Sequence, residues 1–442
     1  MASVEAEGLV KGGCPVDHGA QDHGAVLAGA TLKDPAILAH PNAYYAAMRA
    51  EAPVHYDEKL GMYLVSRYED LQKVFADPIT FSVEQGFKHI YGGAYFEEFK
   101  AIMERDGGGF FPDAIMSDPP YHTRVRKLME SAFTAHRVKE LEPRIAKVIT
   151  DFIEGIADKG RADAVEDFAV PITIHVICEQ LGLDHFDAAK VSRWSQAVTA
   201  QISAMQDHAA MVENAAHICD LQNYLIARMK EREDNPREDM ISDVVHARSP
   251  DGDGAALTFA EAVSLVRAIL IAGNDTTATA LTNLIFILAT QPAIAQQLKE
   301  NVDDERYLNR FVEELLRVEP PVRGLSRMTT RDVELGGTLI PAHSMMLNLY
   351  ASGNDDPNVF PCPRDFDVNR PNVGRQVAFG GGVHRCIGLA LARMEIKITA
   401  RELVKRLDNL TLDIAIEDIT YLPSVATRTM QRLPITFTRR TV

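Results

Sequence analysis

Paired cysteine chemistry is missing from this sequence. Its five cysteines, Cys14, Cys178, Cys219, Cys362 and Cys386, are scattered over 442 residues, odd in number and without a CxxC pair. That pattern argues against a disulfide framework and against a zinc ribbon, and it fits a reducing compartment. Basic residues are also in short supply, with 46 Lys and Arg against 62 Asp and Glu, leaving a formal charge of −16. General affinity for nucleic acid comes from neutralising phosphates, so no nucleic-acid partner is expected. No basic segment followed by an apolar one opens the chain, so no secretory signal is read there and a cytoplasmic protein is expected. Beyond Pro41 there is no repeat, no Ser/Gly linker and no block of like charge.

What is present is ordinary globular composition, 46% hydrophobic and 24% charged. Residues 1–35 are rich in Gly, Ala, Asp and His without apolar periodicity, and read as a loose tail ahead of a single domain over 36–442. Val54 to Val65 alternates around Gly61, which predicts a hairpin. Glu69 to Phe75 turns helical. A second hairpin is predicted where Val333–Leu335 and Leu339–Ile340 flank Gly336-Gly337. The rest is helical in period, so the expected class is mainly α with a small β part.

One predicted helix stands out. Thr258 and Glu261 have capping-box spacing, and the apolar-rich run continues to about Thr290, where Pro292 stops it. A membrane span is rejected because Gly273, Asn274, Asp275, Thr276 and Thr277 lie at its centre, where a lipid-facing carboxylate is costly. The run instead predicts the buried axis of a large helical protein. Its polar midpoint is either a functional site or a set of core groups satisfied by backbone and water.

The most informative segment is Phe379-Gly380-Gly381-Gly382-Val383-His384-Arg385-Cys386-Ile387-Gly388, followed by a helical run. Three glycines permit a tight bend and close approach to a flat object. A thiolate at the start of a helix is stabilised by free N–H groups and suits a metal centre. No other Cys or His stands at zinc spacing, so a cofactor must complete the coordination. Haem fits, because its iron takes one axial thiolate, and the absence of CxxCH excludes covalent attachment. The competing reading is a buried structural cysteine beside a Gly-rich turn.

Phe379, Gly382, Cys386 and Gly388 match the spacing F-x-x-G-x-x-x-C-x-G and resemble the haem-binding signature of the cytochrome P450 family. Glu314-Leu-Leu-Arg317 resembles that family's E-x-x-R motif, and Ala272 to Thr277 resembles its oxygen-activation motif. His122-x-x-x-Arg126, after Asp118-Pro119-Pro120, resembles its propionate clamp. Phe360, Phe366, Asp367 and Arg370 resemble the meander before the cysteine loop. The resemblance runs from about Pro41 to the C-terminus and implies a long central helix crossing over haem b.

It also implies roles. Cys386 would be the proximal iron ligand, with Phe379 beside it. His122, Arg126, Arg327 and His384 would hold the haem propionates. Glu314 would lock Arg317 and Arg370 together, although Glu313 is an equally legitimate i, i+4 partner for Arg317 by local pattern, and Glu314 and Arg317 point away from the apolar face. Gly273 would leave room for dioxygen, Thr276 would open the local helix bond and order water, and Asp275 would relay protons.

Seven aromatics fall between Phe87 and Phe111, where about two are expected at average usage. Phe87, Tyr91, Tyr95 and Phe96 are the pocket candidates among them, in a segment resembling the loop over the distal pocket; a lid packed on itself is the alternative. A bulky apolar small molecule is the expected substrate, with Arg323 a candidate for pairing a substrate carboxylate. No flavin or iron–sulfur motif is present, which implies electrons from a ferredoxin-type partner and its NAD(P)H-dependent reductase. Docking would need a local basic patch, for which Arg385 and Arg393 are candidates. A peroxide-driven peroxygenase and a non-catalytic haem sensor are the alternatives.

Overall fold

The computed structural model describes residues 23–91, 95–130, 135–203, 207–248 and 254–440. The Phe259–Thr290 helix spans 32 residues, roughly 48 Å at 1.5 Å per residue. Its start is fixed by a reciprocal cap: the Glu261 N–H donates to Thr258 Oγ1 and the Thr258 N–H donates to the Glu261 carboxylate. It ends before Gln291, and Pro292 opens the next helix, Pro292–Glu300, because proline serves as a first-turn residue but not as an interior one.

Two apolar clusters meet along this helix. Its first half contributes Val263, Leu265, Val266, Ile269 and Leu270 to a cluster with Ile177, Trp194 and Leu225. Its second half contributes Leu281, Leu284, Ile285 and Leu288 to another, with Phe168, Phe311, Leu315 and Ile396. Each fully buried side chain of this kind contributes about 1.5–3 kcal/mol. Residues 272–277 belong to neither cluster. The apolar core is interrupted at the polar midpoint of its longest helix. Among the described residues no single helix is long and apolar enough to cross a membrane.

Among the described residues ten short strands complete the fold: β1 (Val54–Asp57), β2 (Met62–Val65), β3 (Phe81–Ser82), β4 (Arg161–Asp163), β5 (Leu325–Thr329), β6 (Val333–Leu335), β7 (Thr338–Ile340), β8 (Met345–Asn348), β9 (Leu407–Leu412) and β10 (Pro434–Arg439). The main sheet runs β1-β2-β8-β5-β3, with β2 and β8 parallel. The β1–β2 hairpin sets Val54 opposite Val65. In the β6–β7 hairpin, Gly336 and Gly337 both take positive φ, 56° and 79°, the geometry a two-residue turn requires. Three strands, β4-β10-β9, form a second sheet.

The loose tail expected over 1–35 is corrected for its last part. The Thr31 hydroxyl donates to Asp57 at 2.8 Å, the Leu32 N–H donates to the same carboxylate at 2.9 Å, and Leu32 is fully buried. A carboxylate from β1 therefore anchors this segment, which no apolar period in the segment could reveal. Residues 1–22 lie outside the described residues.

The helix that follows the cysteine loop, Leu389–Arg406, carries a buried carboxyl, Glu395, whose Oε2 has no hydrogen-bond partner. Burial pushes its pKa up to about 8, so the folded protein holds a proton there at neutral pH. Between the ordinary carboxylate range and about pH 8 the unfolded chain has lost that proton and the folded chain has kept it. Its stabilising contribution therefore falls as pH rises through this window, by up to about 1.4 kcal/mol per pH unit. Thermal unfolding at pH 6, 7 and 8 should show wild type losing ground steadily to Glu395→Gln; parallel curves for the two proteins would dismiss the assignment.

Candidate active site

The cysteine loop is built by glycine. Gly380 and Gly382 take φ of 65° and 63°, which side-chain-bearing residues adopt only with strain. A Cβ on Gly382 would collide with the Phe75 carbonyl oxygen, and one on Gly381 with the Phe75 ring. The loop is thus pressed onto the end of the Tyr68–Ala76 helix. The Cys386 N–H donates to the Phe379 carbonyl at 3.0 Å, closing it. Gly388 caps the Leu389–Arg406 helix and directs its N–H at the thiol. By area Cys386 is accessible, yet desolvation pushes its pKa up, opposed by the Gly388 N–H and by Arg126, Arg393 and Arg385. An accessible sulfur inside dense protein faces an interior space, not bulk solvent. Cys178 and Cys219 are different: both are buried, and burial pushes their thiols up to about 12 and about 11.

Beside this loop lies a cationic cluster. The rings of His122 and His384 are 4.1 Å apart, from the Tyr121–Glu130 helix and the cysteine loop respectively. Arg126 and Arg327 act on both rings and, with burial, drive both imidazoles toward the neutral form, His384 to about 3. Arg126 donates to the Arg385 carbonyl at 2.8 Å, joining that helix to the loop, and its ion-pair partner is the exposed Glu130 at 3.4 Å. His122 Nδ1, His384 Nε2 and Arg126 Nε are buried without hydrogen-bond partners. Two guanidiniums and two imidazoles, three of the four side chains with an unpaired nitrogen, fit the pair of carboxylates that haem b carries.

The E-x-x-R pair is deeply buried. Arg317 Nε and Nη2 each donate to Glu314 at 2.8 Å, and Arg370 Nε donates to Glu314 Oε1 at 3.1 Å. Arg317 also donates to the carbonyls of Asn354 and Asp365, and Arg370 to those of Pro361, Cys362 and Asp365. Glu314 and Arg317 have zero exposure, which corrects the expectation that they point away from the packed face of the Glu305–Val318 helix. The alternative partner, Glu313, is paired with Arg393 instead, at 2.5 and 2.9 Å. Arg393 also sits over the Phe379 ring at 4.8 Å. That engagement removes it from the expected surface patch, whereas Arg385 is exposed.

On the central helix the side facing the interior space is read from accessibility. Ala272 is exposed and Gly273, Asp275 and Thr276 are partly so, in a helix otherwise largely buried. Thr276 Oγ1 donates to the Ala272 carbonyl at 2.8 Å, which competes with the regular helix bond. Ile387, next to Cys386, packs against the cluster that holds Val266, Ile269 and Leu270. Ala272 was missed from sequence, since alanine carries no chemical signal. A Cβ on Gly273 would stand 3.1 Å from Ile177. Its missing side chain admits the Val170–Gln180 helix at that point. Asn274 accepts from Thr173 of that helix at 2.6 Å.

Asp275 belongs to this partly accessible stripe, but its carboxylate is tied to the neighbouring helix. Its carboxylate accepts from Ser195 Oγ at 2.7 Å and Thr199 Oγ1 at 2.5 Å, both on the Ala188–Ser203 helix. Burial raises its pKa and the two hydroxyls oppose that rise.

The aromatic segment divides. Phe87 is partly buried on the Val83–Tyr91 helix, which Gly86 seats against the Arg327 backbone. Phe96 and Phe99 pack edge-on against Phe110, at 5.7 and 6.4 Å, and Phe111 packs against Phe259 at 6.4 Å. Tyr95 is 37% exposed beside His208, which corrects its assignment to a pocket wall. The Tyr91 side chain lies outside the described residues. Arg323 is buried, donates to the Leu38 carbonyl at 2.9 Å and lies beside Tyr45. Those contacts direct it toward the N-terminal helices, correcting its candidacy as a substrate-carboxylate partner.

Arg126→Ala should remove a charge-assisted contact of about 1.5–3 kcal/mol and speed haem loss roughly 10- to 100-fold at equal folding. The check is transfer of haem to an excess of apomyoglobin; an unchanged rate would remove Arg126 from the clamp.

Residues 188–429 match the family model described as Cytochrome P450. The chain is 33% identical over 409 residues to the cytochrome P450 monooxygenase PikC of Streptomyces venezuelae, covering 91% of this chain and 92% of that protein. It is 32% identical to the vitamin D(3) 25-hydroxylase of Pseudonocardia autotrophica, over 90% of this chain and 94% of the relative. The structure of cytochrome P450 CYP109Q5 from Chondromyces apiculatus superposes with a TM-score of 0.80 at 31% identity, covering 93% of this chain and 98% of that one. With similarity to family members over nine-tenths of the chain, and a Gly-built loop presenting one thiol near two guanidiniums and two imidazoles, the chain belongs to the cytochrome P450 family and is a monooxygenase that uses haem b with thiolate ligation.

Proposed function

We propose that this monooxygenase hydroxylates a bulky apolar small molecule, using electrons from a ferredoxin-type protein and its NAD(P)H-dependent reductase. The single observation that carries the site assignment is the one exposed thiol among the described residues, Cys386, on a loop whose Ile387 packs against the apolar cluster that ends at the break over residues 272–277. Cys386 is the proximal ligand in this reading. His122, Arg126, Arg327 and His384 hold the propionates, and Glu314, Arg317 and Arg370 fix the loop that carries the ligand. Haem held there supplies dioxygen activation and transfer of one oxygen atom to a C–H bond. The chain's own part is to exclude bulk water, hold the substrate, and meter protons through Thr276 Oγ1 and the Asp275 carboxylate. One unit, which includes the segment anchored at Thr31 and Leu32, performs all of this in the cytoplasm, with no nucleic-acid or membrane partner.

Support for an apolar substrate comes from the aromatic segment and from a relative whose name specifies vitamin D(3). The exposed Arg385 is the candidate for docking an acidic electron donor, on a chain of charge −16 that must keep such a patch local. The acid–alcohol pair Asp275–Thr276 favours dioxygen over peroxide as the oxidant.

Spectral titration with a chemically diverse panel should give high-spin shifts with terpenoid, steroid, fatty-acid or large aromatic compounds. Shifts confined to small hydrophilic compounds would sink the apolar assignment. Turnover with NAD(P)H, reductase and ferredoxin should exceed turnover on peroxide, and the reverse result favours the peroxygenase.

In Thr276→Ala, reductant consumption should continue while product per reductant falls by about an order of magnitude and peroxide accumulates. Fully coupled turnover in that variant would place proton delivery elsewhere.

A further inference from the structure

The acid of the central helix is held in an unusual way for a buried carboxylate. Its partners are two neutral hydroxyls, Ser195 Oγ at 2.7 Å and Thr199 Oγ1 at 2.5 Å, plus the Asn274 amide at 3.3 Å. Ser195 and Thr199 stand at i, i+4 on the Ala188–Ser203 helix, so both hydroxyls emerge from one face, one above the other. Ser195 is fully buried. Around Asp275 the Val170–Gln180 helix contributes Thr173, which is spent on Asn274, and the central helix contributes Asn274 and Thr276, both uncharged. Among the described residues no cation or second carboxylate exerts a field on this group; burial and the two hydroxyls account for its behaviour.

We propose that Ser195 and Thr199 are positioning residues for proton delivery, latching the Asp275 carboxylate to the neighbouring helix in an orientation averted from Ala272 and Thr276. This rests on the reading of Asp275 as the proton relay. Two hydroxyls can hold an ionised carboxylate in a buried site through charge-assisted bonds, but without the opposite charge that a guanidinium or ammonium would add. Taking up a proton from solvent hydronium removes the charge those bonds favour, so the neutral acid can leave the latch, give that proton up on the distal side and return ionised; one proton enters and one leaves at the same group in each delivery. A cation in the same place would keep the acid charged and seated. The hydroxyl pair also sets the range of pH over which the relay works, since each donated bond favours the charged form.

The test uses the haem-loaded enzyme with Ser195→Ala, Thr199→Val and the double variant, alongside Asp275→Asn. Removing both donors leaves the buried carboxylate without its stabilising bonds, so the acid limb of product-per-reductant against pH should move to higher pH by one unit or more. Substrate KM and the spectral binding constant should change less than twofold, and the solvent deuterium isotope effect on coupled turnover should change. Ser195→Thr and Thr199→Ser, which keep the hydroxyl, should restore the wild-type limb. A readout independent of turnover is the infrared carboxyl band lost in Asp275→Asn, whose titration midpoint in the resting protein should rise in the double variant. If Asp275→Asn impairs coupling while the double variant leaves both the pH limb and the infrared midpoint unmoved, the positioning role is overturned and the relay stands. If Asp275→Asn is fully coupled, the relay itself fails and the latch with it.

Discussion

A single buried carboxylate holds the catalytic side of this protein together. Glu314 receives two bonds from Arg317 and one from Arg370, and the Asp367 N–H adds a fourth at 2.9 Å. Two guanidiniums would be costly to bury with one carboxylate if their remaining N–H groups were idle. Instead those groups are spent on the carbonyls of residues 354–365, a stretch with little regular structure to satisfy them. The ion cluster thus replaces secondary structure as the organiser of the meander. Removing one partner would leave a buried charge unpaired, at a cost of about 3–5 kcal/mol, which is a large fraction of a domain's stability.

From that anchor the geometry propagates outward. The meander delivers the chain to Val377, whose N–H donates to Asn354 at 2.7 Å, and so to the glycine loop. The loop is pressed on Phe75 from one side and clasped by Arg126 from the other. Arg393 joins Glu313 of the E-x-x-R helix to the Phe379 ring. Cys386 is consequently held by contacts from four separate stretches of chain. Rigidity of this kind suits a ligand that must keep one orientation through repeated redox cycles.

The opposite wall is organised by polarity rather than by packing. The central helix joins two apolar clusters and breaks between them, where its polar residues are distributed to different partners: Asn274 to Thr173, Asp275 to Ser195 and Thr199, Thr276 to its own backbone. Each side chain is satisfied, which is why a buried helix can carry them. The same satisfaction means that none is idle. Any chemistry at this midpoint requires a bond to be exchanged.

Helical class, both hairpins, the capping box and the stop at Pro292 were legible in sequence, because period, caps and turn residues act within a few positions. The loop over Phe379–Gly388 was legible for the same reason, its glycines and cysteine being contiguous. Which glutamate pairs with Arg317 was not, since Glu313 and Glu314 are equivalent by spacing and only burial separates them. Arg323 and Tyr95 were misassigned because position along the chain says nothing of which way a side chain turns. The sequence by itself determined the elements and the chemistry available to them. Tertiary structure decided which groups meet, because contacts such as Asp275 with Ser195 join residues far apart in the chain and leave no local pattern to read.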